Sequence, residues 1–181
     1  MSDKKREHLR FFKKLFSRAL PSITAVFLCS ILYYWFLPQQ PAHEWLLLLL
    51  MGIALFKIAI IVHFVYNRLG DVLGESHYML HILGLFGLVI ALNVFTFTAD
   101  YFGLYLLDPA HFDIKNFEPN SRFHIYFQSF YFSLISYSTV GLGDMTPATF
   151  YGKILVMLEI GLYFFVILFG TAHINKINIK D

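Results

Sequence analysis

Four long apolar runs constrain the fold of this chain more than any other feature of its sequence. A helix needs about 20 predominantly apolar residues to cross a bilayer. The runs at residues 20–37, 45–66, 78–99 and 150–172 have about this length. Of the 181 residues, 57% are hydrophobic and only 14% are charged, whereas soluble domains usually carry about a quarter charged residues. We therefore predict an all-α integral membrane protein with four transmembrane helices.

A fifth apolar stretch, residues 123–137, is shorter and predicts a re-entrant helix that crosses only part of the membrane. It leads into S-T-V-G-L-G-D-M-T-P at residues 138–147. Irregular backbone is tolerated at membrane depth only where it is buried in protein or lines a watery path. Alternating glycines allow backbone angles that are closed to most residues, so that successive carbonyls can point the same way. A ring of such carbonyls can replace the hydration shell of a monovalent cation, and Asp144 adds negative charge at the outer mouth.

The S-T-V-G-L-G-D segment, with an aromatic-rich short helix before it and P-x-T-x-x-G and a spanning helix after it, resembles the pore of potassium channels. The resemblance covers residues 78–175, as outer helix, pore helix, selectivity filter and inner helix. It implies that permeant K⁺, with no other cofactor, is bound by Thr139, Val140, Gly141, Leu142 and Gly143. Because one chain offers one pore loop, it also implies a homotetramer. Leu142 stands where tyrosine is commoner and removes a hydroxyl that could tie the filter to its surroundings, which leaves the preference for K⁺ over Na⁺ open.

The inner helix carries a stripe of residues spaced i, i+3, i+7 and i+11, which places them on one helical face. These are Phe164, Ile167, Thr171 and Asn175. By the resemblance this face lines the central cavity and its cytoplasmic mouth; the alternative is that it packs on the outer helix. Gly161 and Gly170 are candidate hinges, and close packing is an equally good explanation for Gly161.

Two ionisable residues, Lys57 and Glu159, fall inside predicted spans, where such residues are usually paired or functional. Counted at about 1.5 Å per residue from the outer ends, Glu159 lies at roughly 13 Å depth and Lys57 at roughly 18 Å. A lysine side chain is long enough to cover this difference, so we predict that the two residues pair. The alternatives are a hydrogen bond from Glu159 to the pore helix, or a lysine that reaches the interface alone.

Most lysines and arginines lie before the first run, between the second and third, or after the fourth, so both termini are predicted to be cytoplasmic. Residues 1–19 are basic, and 5–19 suit an amphipathic helix on anionic lipid; a disordered tail or a cleavable signal peptide are the alternatives. Residues 20–77 form two auxiliary helices and residues 176–181 a short cytoplasmic tail. A compact multi-pass chain of this kind suggests a prokaryotic inner membrane.

Together these features predict the pore-forming subunit of a potassium-selective channel that conducts passively. The first three spans lack the regularly spaced arginines of a voltage sensor, and we expect no appended ligand domain. A non-selective monovalent cation channel is the alternative, followed by a potassium transporter subunit. No nucleophile–base pair or metal cluster is visible, so we expect neither an enzyme nor a small-molecule substrate, and no nucleic-acid partner.

Overall fold

A computed structural model of the chain describes residues 3–36, 44–75 and 79–174. Within these ranges the chain is almost wholly helical. The helices are α1 (Asp3–Phe36), α2 (Glu44–Glu75), α3 (Met79–Leu107), α4 (Arg122–Tyr137) and α5 (Phe150–Ile174). The all-α prediction therefore holds, apart from two short strands, β1 (Phe112–Ile114) and β2 (Met145–Pro147).

Within the described residues, three segments are long and apolar enough to cross a membrane. They are Glu44–Tyr66 in α2, Leu83–Leu107 in α3 and Phe150–Phe169 in α5. These correspond to the second, third and fourth predicted spans. The first run corresponds to a shorter apolar segment, Ala19–Tyr33 in α1, so a fourth transmembrane helix stays a prediction.

The third predicted span ends in the wrong place. The expected range was 78–99, but the apolar segment of α3 continues through Asp100 to Leu107. The helix can continue because the Asp100 side chain is buried next to a lysine rather than exposed to lipid. The helix then ends at Leu107, because Pro109 disfavours helical angles for the residue before it, Asp108.

The amphipathic segment predicted at residues 5–19 is helical but is not a separate element. It forms one continuous helix with the first apolar run, from Asp3 to Phe36, and that helix includes Pro21. Proline removes one backbone donor from a helix interior, and the packing of α1 along α3 compensates for that loss. The side chains of Leu9 and Phe12, on which the amphipathic pattern depends, lie outside the described residues.

Helix α3 forms the centre of the molecule. It contacts each of the other four helices, α1, α2, α4 and α5. Every residue from 96 to 107 is buried, which explains why apolar residues occur on all faces of this stretch rather than on one stripe. Helix α3 therefore joins the two auxiliary helices to the rest of the chain.

Helix α4 confirms the predicted short helix at residues 123–137. Its start is capped by Ser121, whose hydroxyl accepts a hydrogen bond from the His124 N–H at 3.2 Å. On its inward face Phe132 packs edge-on against Tyr101 and Phe112, with ring centroids 4.8 and 5.7 Å away. These aromatic contacts hold α4 against α3 and β1.

The small antiparallel sheet fixes the segment that follows residues 138–144. In the β1–β2 register Phe112 faces Pro147 and Ile114 faces Met145. The pairing continues at both ends, where Lys115 N donates to the Asp144 carbonyl at 3.0 Å and Ala148 N to the His111 carbonyl at 2.9 Å. The loop after α3 is therefore more than a connector, because it positions Asp144.

The P-x-T-x-x-G motif is explained by contacts beneath this sheet. Thr149 Oγ1 lies 2.6 Å from His111 Nδ1, which ties the start of α5 to the loop after α3. A Cβ on Gly152 would lie 3.1 Å from Pro147 Cβ and 3.2 Å from the His111 carbonyl oxygen. Glycine at position 152 thus allows α5 to approach the sheet closely.

Candidate functional site

The segment that follows α4 is held by its own backbone amides. The N–H groups of three successive residues donate to carbonyls in the last turn of α4: Thr139 to Ser136 at 3.0 Å, Val140 to Ile135 at 3.1 Å, and Gly141 to Ile135 at 3.5 Å. The last carbonyls of a helix have no partner within the helix. Here they are satisfied by the segment that leaves it.

This pattern determines where the carbonyls of the same segment point. In a trans peptide the N–H and C=O groups lie in one plane and point in opposite directions, and the described residues contain no cis peptide bond. Since the amides of residues 139–141 point toward α4, the carbonyl oxygens of Ser138, Thr139 and Val140 point away from it. A row of three acceptors is thereby presented on the open side of the segment.

The backbone angles alternate along the segment. Thr139, Gly141 and Gly143 have φ values of +56°, +54° and +73°, whereas Val140 and Leu142 between them do not enter the positive range. Positive φ costs glycine little. It is unusual for a β-branched residue, so the backbone at Thr139 is strained, and strain of this kind concentrates at functional positions.

The apolar side chains of the segment have little cover from this chain. Val140 is 60% exposed and Leu142 is 64% exposed. A second chain packed against this face would bury both side chains.

Asp144 ends the segment and is fixed by two hydrogen bonds. Tyr131 in α4 donates its hydroxyl to Asp144 Oδ2 at 2.7 Å, and Met145 N–H donates to Oδ1 at 3.0 Å. The bond from Tyr131 is the main reason that the pKa of Asp144 lies below its usual value. Asp144 also borders a cavity of about 770 Å³. It therefore presents a positioned negative charge beside an open space.

Three aromatic residues of the short helix α4 have different roles. Tyr131 bonds to Asp144, Phe132 packs on α3 and β1, and Tyr137 packs edge-on against Tyr163 of α5 at 4.9 Å. Leu142 has no hydroxyl that could bind α4. The hydrogen bond between Tyr131 and Asp144 is another connection between this segment and α4.

On α5, Phe164 and Ile167 are 53% and 38% exposed within this chain. This exposure leaves both the predicted cavity-lining role and the alternative, packing on the outer helix, open. A Cβ on Gly161 would meet nothing within 4 Å, so close packing within the chain does not explain that glycine. The side chain of Thr171, the surroundings of Gly170 and the whole of Asn175 lie outside the described residues.

The predicted pairing of Lys57 with Glu159 is wrong. Lys57 Nζ lies 2.5 Å from Asp100 Oδ1 of α3, and both side chains are almost fully buried. The ammonium also approaches the Thr96 carbonyl at 3.3 Å and the face of the Tyr33 ring at 5.4 Å. The depth estimate selects the wrong carboxylate because the predicted third span, 78–99, ends one residue before Asp100. The continued apolar sequence after Asp100, Y-F-G-L-Y-L-L, was the signal that could have identified it.

Glu159 instead follows the alternative reading, a hydrogen bond to the short helix. Its Oε1 lies 2.5 Å from Ser133 Oγ in α4, and its Oε2 accepts from the Tyr101 hydroxyl in α3 at 2.6 Å. The Glu159 side chain is fully buried. One carboxyl group thus connects α5 to both α3 and α4.

Comparison with known protein families finds a match in the second half of the chain. A protein-family model described as "Ion channel" matches residues 79–178. No curated protein and no solved structure matches the chain.

Proposed function

This chain belongs to the ion channel family, and from that premise we propose that it is the pore-forming subunit of a potassium-selective channel. Residues 79–178, which the family model covers, include α3, α4, the segment with the row of carbonyls, and α5. In this proposal α3 is the outer helix, α4 the pore helix, residues 139–143 the selectivity filter and α5 the inner helix.

The observation that carries the proposal is the direction of the peptide groups before Thr139, Val140 and Gly141. Their N–H groups are bound to α4, so their carbonyl oxygens are free to face an ion. Dehydrating K⁺ requires oxygen ligands in place of water, and rings of backbone carbonyls supply them. The C-terminal end of α4, which carries about half a negative charge, adds to the attraction.

Four copies of the chain are needed to close such a ring, and we propose a homotetramer with cyclic symmetry. The exposed side chains of Val140 and Leu142 support this assembly, since a neighbouring subunit would cover them. Phe164 and Ile167, exposed on α5, then face the central cavity, where they form an apolar wall below the filter.

We propose a multi-pass arrangement in the cell membrane with Asp144 at the extracellular mouth. The distribution of lysine and arginine supports it, because most of them lie on the opposite side. Both termini are then cytoplasmic, and the basic N-terminal segment lies close to anionic lipid.

Flux from liposomes tests the proposal. Purified protein is reconstituted into liposomes, and efflux of K⁺ and of Na⁺ is followed separately under equal gradients. We expect rapid K⁺ efflux and little Na⁺ efflux. Absence of both fluxes from protein shown to be tetrameric would contradict a passive pore.

Leu142 favours a second candidate, a non-selective monovalent cation channel. Its side chain has no polar group, and within this chain it is largely exposed, so it does not tie the filter to α4. A filter that can widen would accept Na⁺ as well as K⁺. Equal K⁺ and Na⁺ efflux in the same assay would select this candidate over the potassium-selective channel.

Replacing Tyr131 with phenylalanine is expected to make K⁺ flux more sensitive to external acid. The Tyr131 hydroxyl is the main cause of the lowered pKa of Asp144, so its removal raises that pKa. Asp144 is ionised above its pKa and loses its charge as the pH falls through it, so the variant loses the mouth charge at a higher pH than the wild type. The measurement is K⁺ efflux against external pH.

Tyr151→Phe is the matched control, since Tyr151 lies on the same side of the molecule, partly buried against the His111 ring. Its acid midpoint is expected to equal that of the wild type. Identical midpoints for the wild type and Tyr131→Phe would show that this hydrogen bond does not control the Asp144 charge.

A further inference from the structure

The buried carboxyl group of Glu159 has no role in ion coordination, and its surroundings carry a further inference. It lies about 13 Å into α5 from the outer end, counted at about 1.5 Å per residue, and its side chain is 0% exposed. Within hydrogen-bonding distance are Ser133 Oγ and the Tyr101 hydroxyl. Both neighbours are neutral.

The charges around Glu159 are already balanced without it. The Lys57 ammonium is paired with Asp100. Among the residues that the structure describes, no lysine, arginine or histidine forms an ion pair with Glu159. An unpaired carboxylate deep in a membrane protein is expensive, and Asp100, next to Tyr101 in sequence, would repel it. The charge balance therefore favours a neutral Glu159.

The hydrogen bonds lead to the same result. Ser133 Oγ lies 2.5 Å from Glu159 Oε1 and 3.0 Å from the Val94 carbonyl oxygen. A hydroxyl has one proton to donate, whereas a carbonyl and an ionised carboxylate can only accept. If Glu159 were ionised, Ser133 would donate to it and the contact with Val94 would lack a proton, which leaves the Thr98 hydroxyl, 2.7 Å away, as the side-chain donor to that carbonyl. If Glu159 is protonated, it donates to Ser133, Ser133 donates to Val94, and each contact has its proton.

Short O–H···O distances occur with both neutral and ionised carboxyl groups. The distances alone therefore do not decide the protonation state. The counts of charges and of protons are independent of each other, and both favour a proton on Glu159.

We propose that Glu159 is a neutral carboxylic acid that donates a hydrogen bond to Ser133 and so positions the pore helix and the filter. Ser133 lies two residues before Ile135 and three before Ser136, whose carbonyls hold the filter amides. A shift of the pore helix at Ser133 would therefore move the filter. The proposed protonation state of Glu159 does not depend on the channel function, whereas its consequence for conduction rests on the proposed channel function.

Ionisation of Glu159 would break this arrangement. The other ionisable side chains around it are Tyr101 and Asp100 on α3, Lys57 on α2, and Tyr137 on α4. The only cation among them is already bound to Asp100. A carboxylate at Glu159 would gain no counter-charge and could no longer donate to Ser133.

Infrared spectroscopy of the reconstituted protein tests the protonation state directly. A carboxylic acid has a C=O stretch that an ionised carboxylate lacks. In the difference spectrum between the wild type and Glu159→Gln at neutral pH, we expect a carboxylic acid band present only in the wild type. A difference spectrum that contains only carboxylate bands would overturn the inference, whether or not the protein conducts.

Ion flux tests the positioning role. Glu159→Gln keeps both a hydrogen-bond acceptor and a donor, so it is expected to conduct K⁺ within about twofold of the wild type. Glu159→Met loses the buried hydrogen bond and is expected to conduct K⁺ about tenfold less than the wild type. Wild-type flux is expected to fall at alkaline pH and that of Glu159→Gln to stay constant, a difference that a purely structural role would not produce. Equal pH profiles, or Glu159→Gln as impaired as Glu159→Met, would refute positioning by a protonated carboxyl.

The two assays separate this inference from the proposed function. If the carboxylic acid band is present but K⁺ and Na⁺ fluxes are equal, the potassium-selective function fails and the neutral Glu159 stands. If K⁺ flux is selective but the band is absent, the function stands and the inference fails.

Discussion

Replacement of Gly141 by alanine is expected to abolish K⁺ flux. Gly141 has a φ of +54°, an angle that costs an L-residue about 1–2 kcal/mol. A Cβ at this position would meet nothing within 4 Å, so the penalty comes from the backbone and not from a clash. Alanine relieves it by rotating to negative φ, which turns the adjoining peptide and removes a carbonyl from the row. Because the proposed tetramer carries the substitution four times, we expect a loss of flux on the order of a hundredfold or more.

The measurement is K⁺ efflux from liposomes that contain equal amounts of tetramer. Gly52→Ala serves as the control, since a Cβ at Gly52 also meets nothing within 4 Å but its φ is not positive. This control is expected to conduct like the wild type. If Gly141→Ala forms tetramers and conducts normally, the carbonyl row at residues 138–140 is not the conduction path.

Substitution of Lys57 by methionine is expected to destabilise the protein by about 3–5 kcal/mol, the usual cost of removing one partner of a buried ion pair. The Lys57 ammonium is the partner of Asp100, and without it a carboxylate is left unpaired in the interior. The effect is measured as a decrease in the midpoint of thermal unfolding of the purified protein. The contact between the auxiliary helices and α3 is expected to loosen first, because the pair joins α2 to α3.

A double-mutant cycle identifies the partner of Lys57. The combination of Lys57→Met with Asp100→Leu removes both charges and is expected to recover most of the stability that Lys57→Met loses. The combination of Lys57→Met with Glu159→Gln is expected to be additive, since the two residues belong to separate hydrogen-bonded groups. Strong coupling between Lys57 and Glu159, with additivity between Lys57 and Asp100, would refute the observed pairing.

Much of the fold could be predicted because hydrophobicity and length act locally. Apolar runs identified α2, α3 and α5, and a shorter aromatic-rich run identified α4 within one residue at its start. The predictions of the fold are wrong where tertiary contacts override the structure that the local sequence favours. Helix α3 passes through Asp100 because Lys57 neutralises the carboxylate, and α1 continues through Pro21 while packed on α3. The loop after α3 forms a strand because β2 supplies its hydrogen-bond partners.

The sequence predicted the residue composition of the candidate site but only some of the contacts between its residues. The alternation of glycines at 141 and 143 indicated unusual backbone angles, and the structure has positive φ at both. Nothing in the sequence indicated that Thr139 would share that conformation, or that Tyr131 would bond to Asp144. Residues on different elements come together through packing, which a single sequence does not specify.

By itself, the sequence determined the membrane-spanning character of this protein, the position of its short helix and the composition of the glycine-containing segment after that helix. Those features depend on hydrophobicity, periodicity and the conformational freedom of glycine, which are properties of neighbouring residues. Only the tertiary structure decided which buried charge belongs to which partner. Lys57 reaches Asp100 and Glu159 reaches Ser133 because helix packing brings these groups together over long sequence distances. A buried charge or proton is stabilised by the nearest complementary group in space, and depth along separate helices does not identify that group.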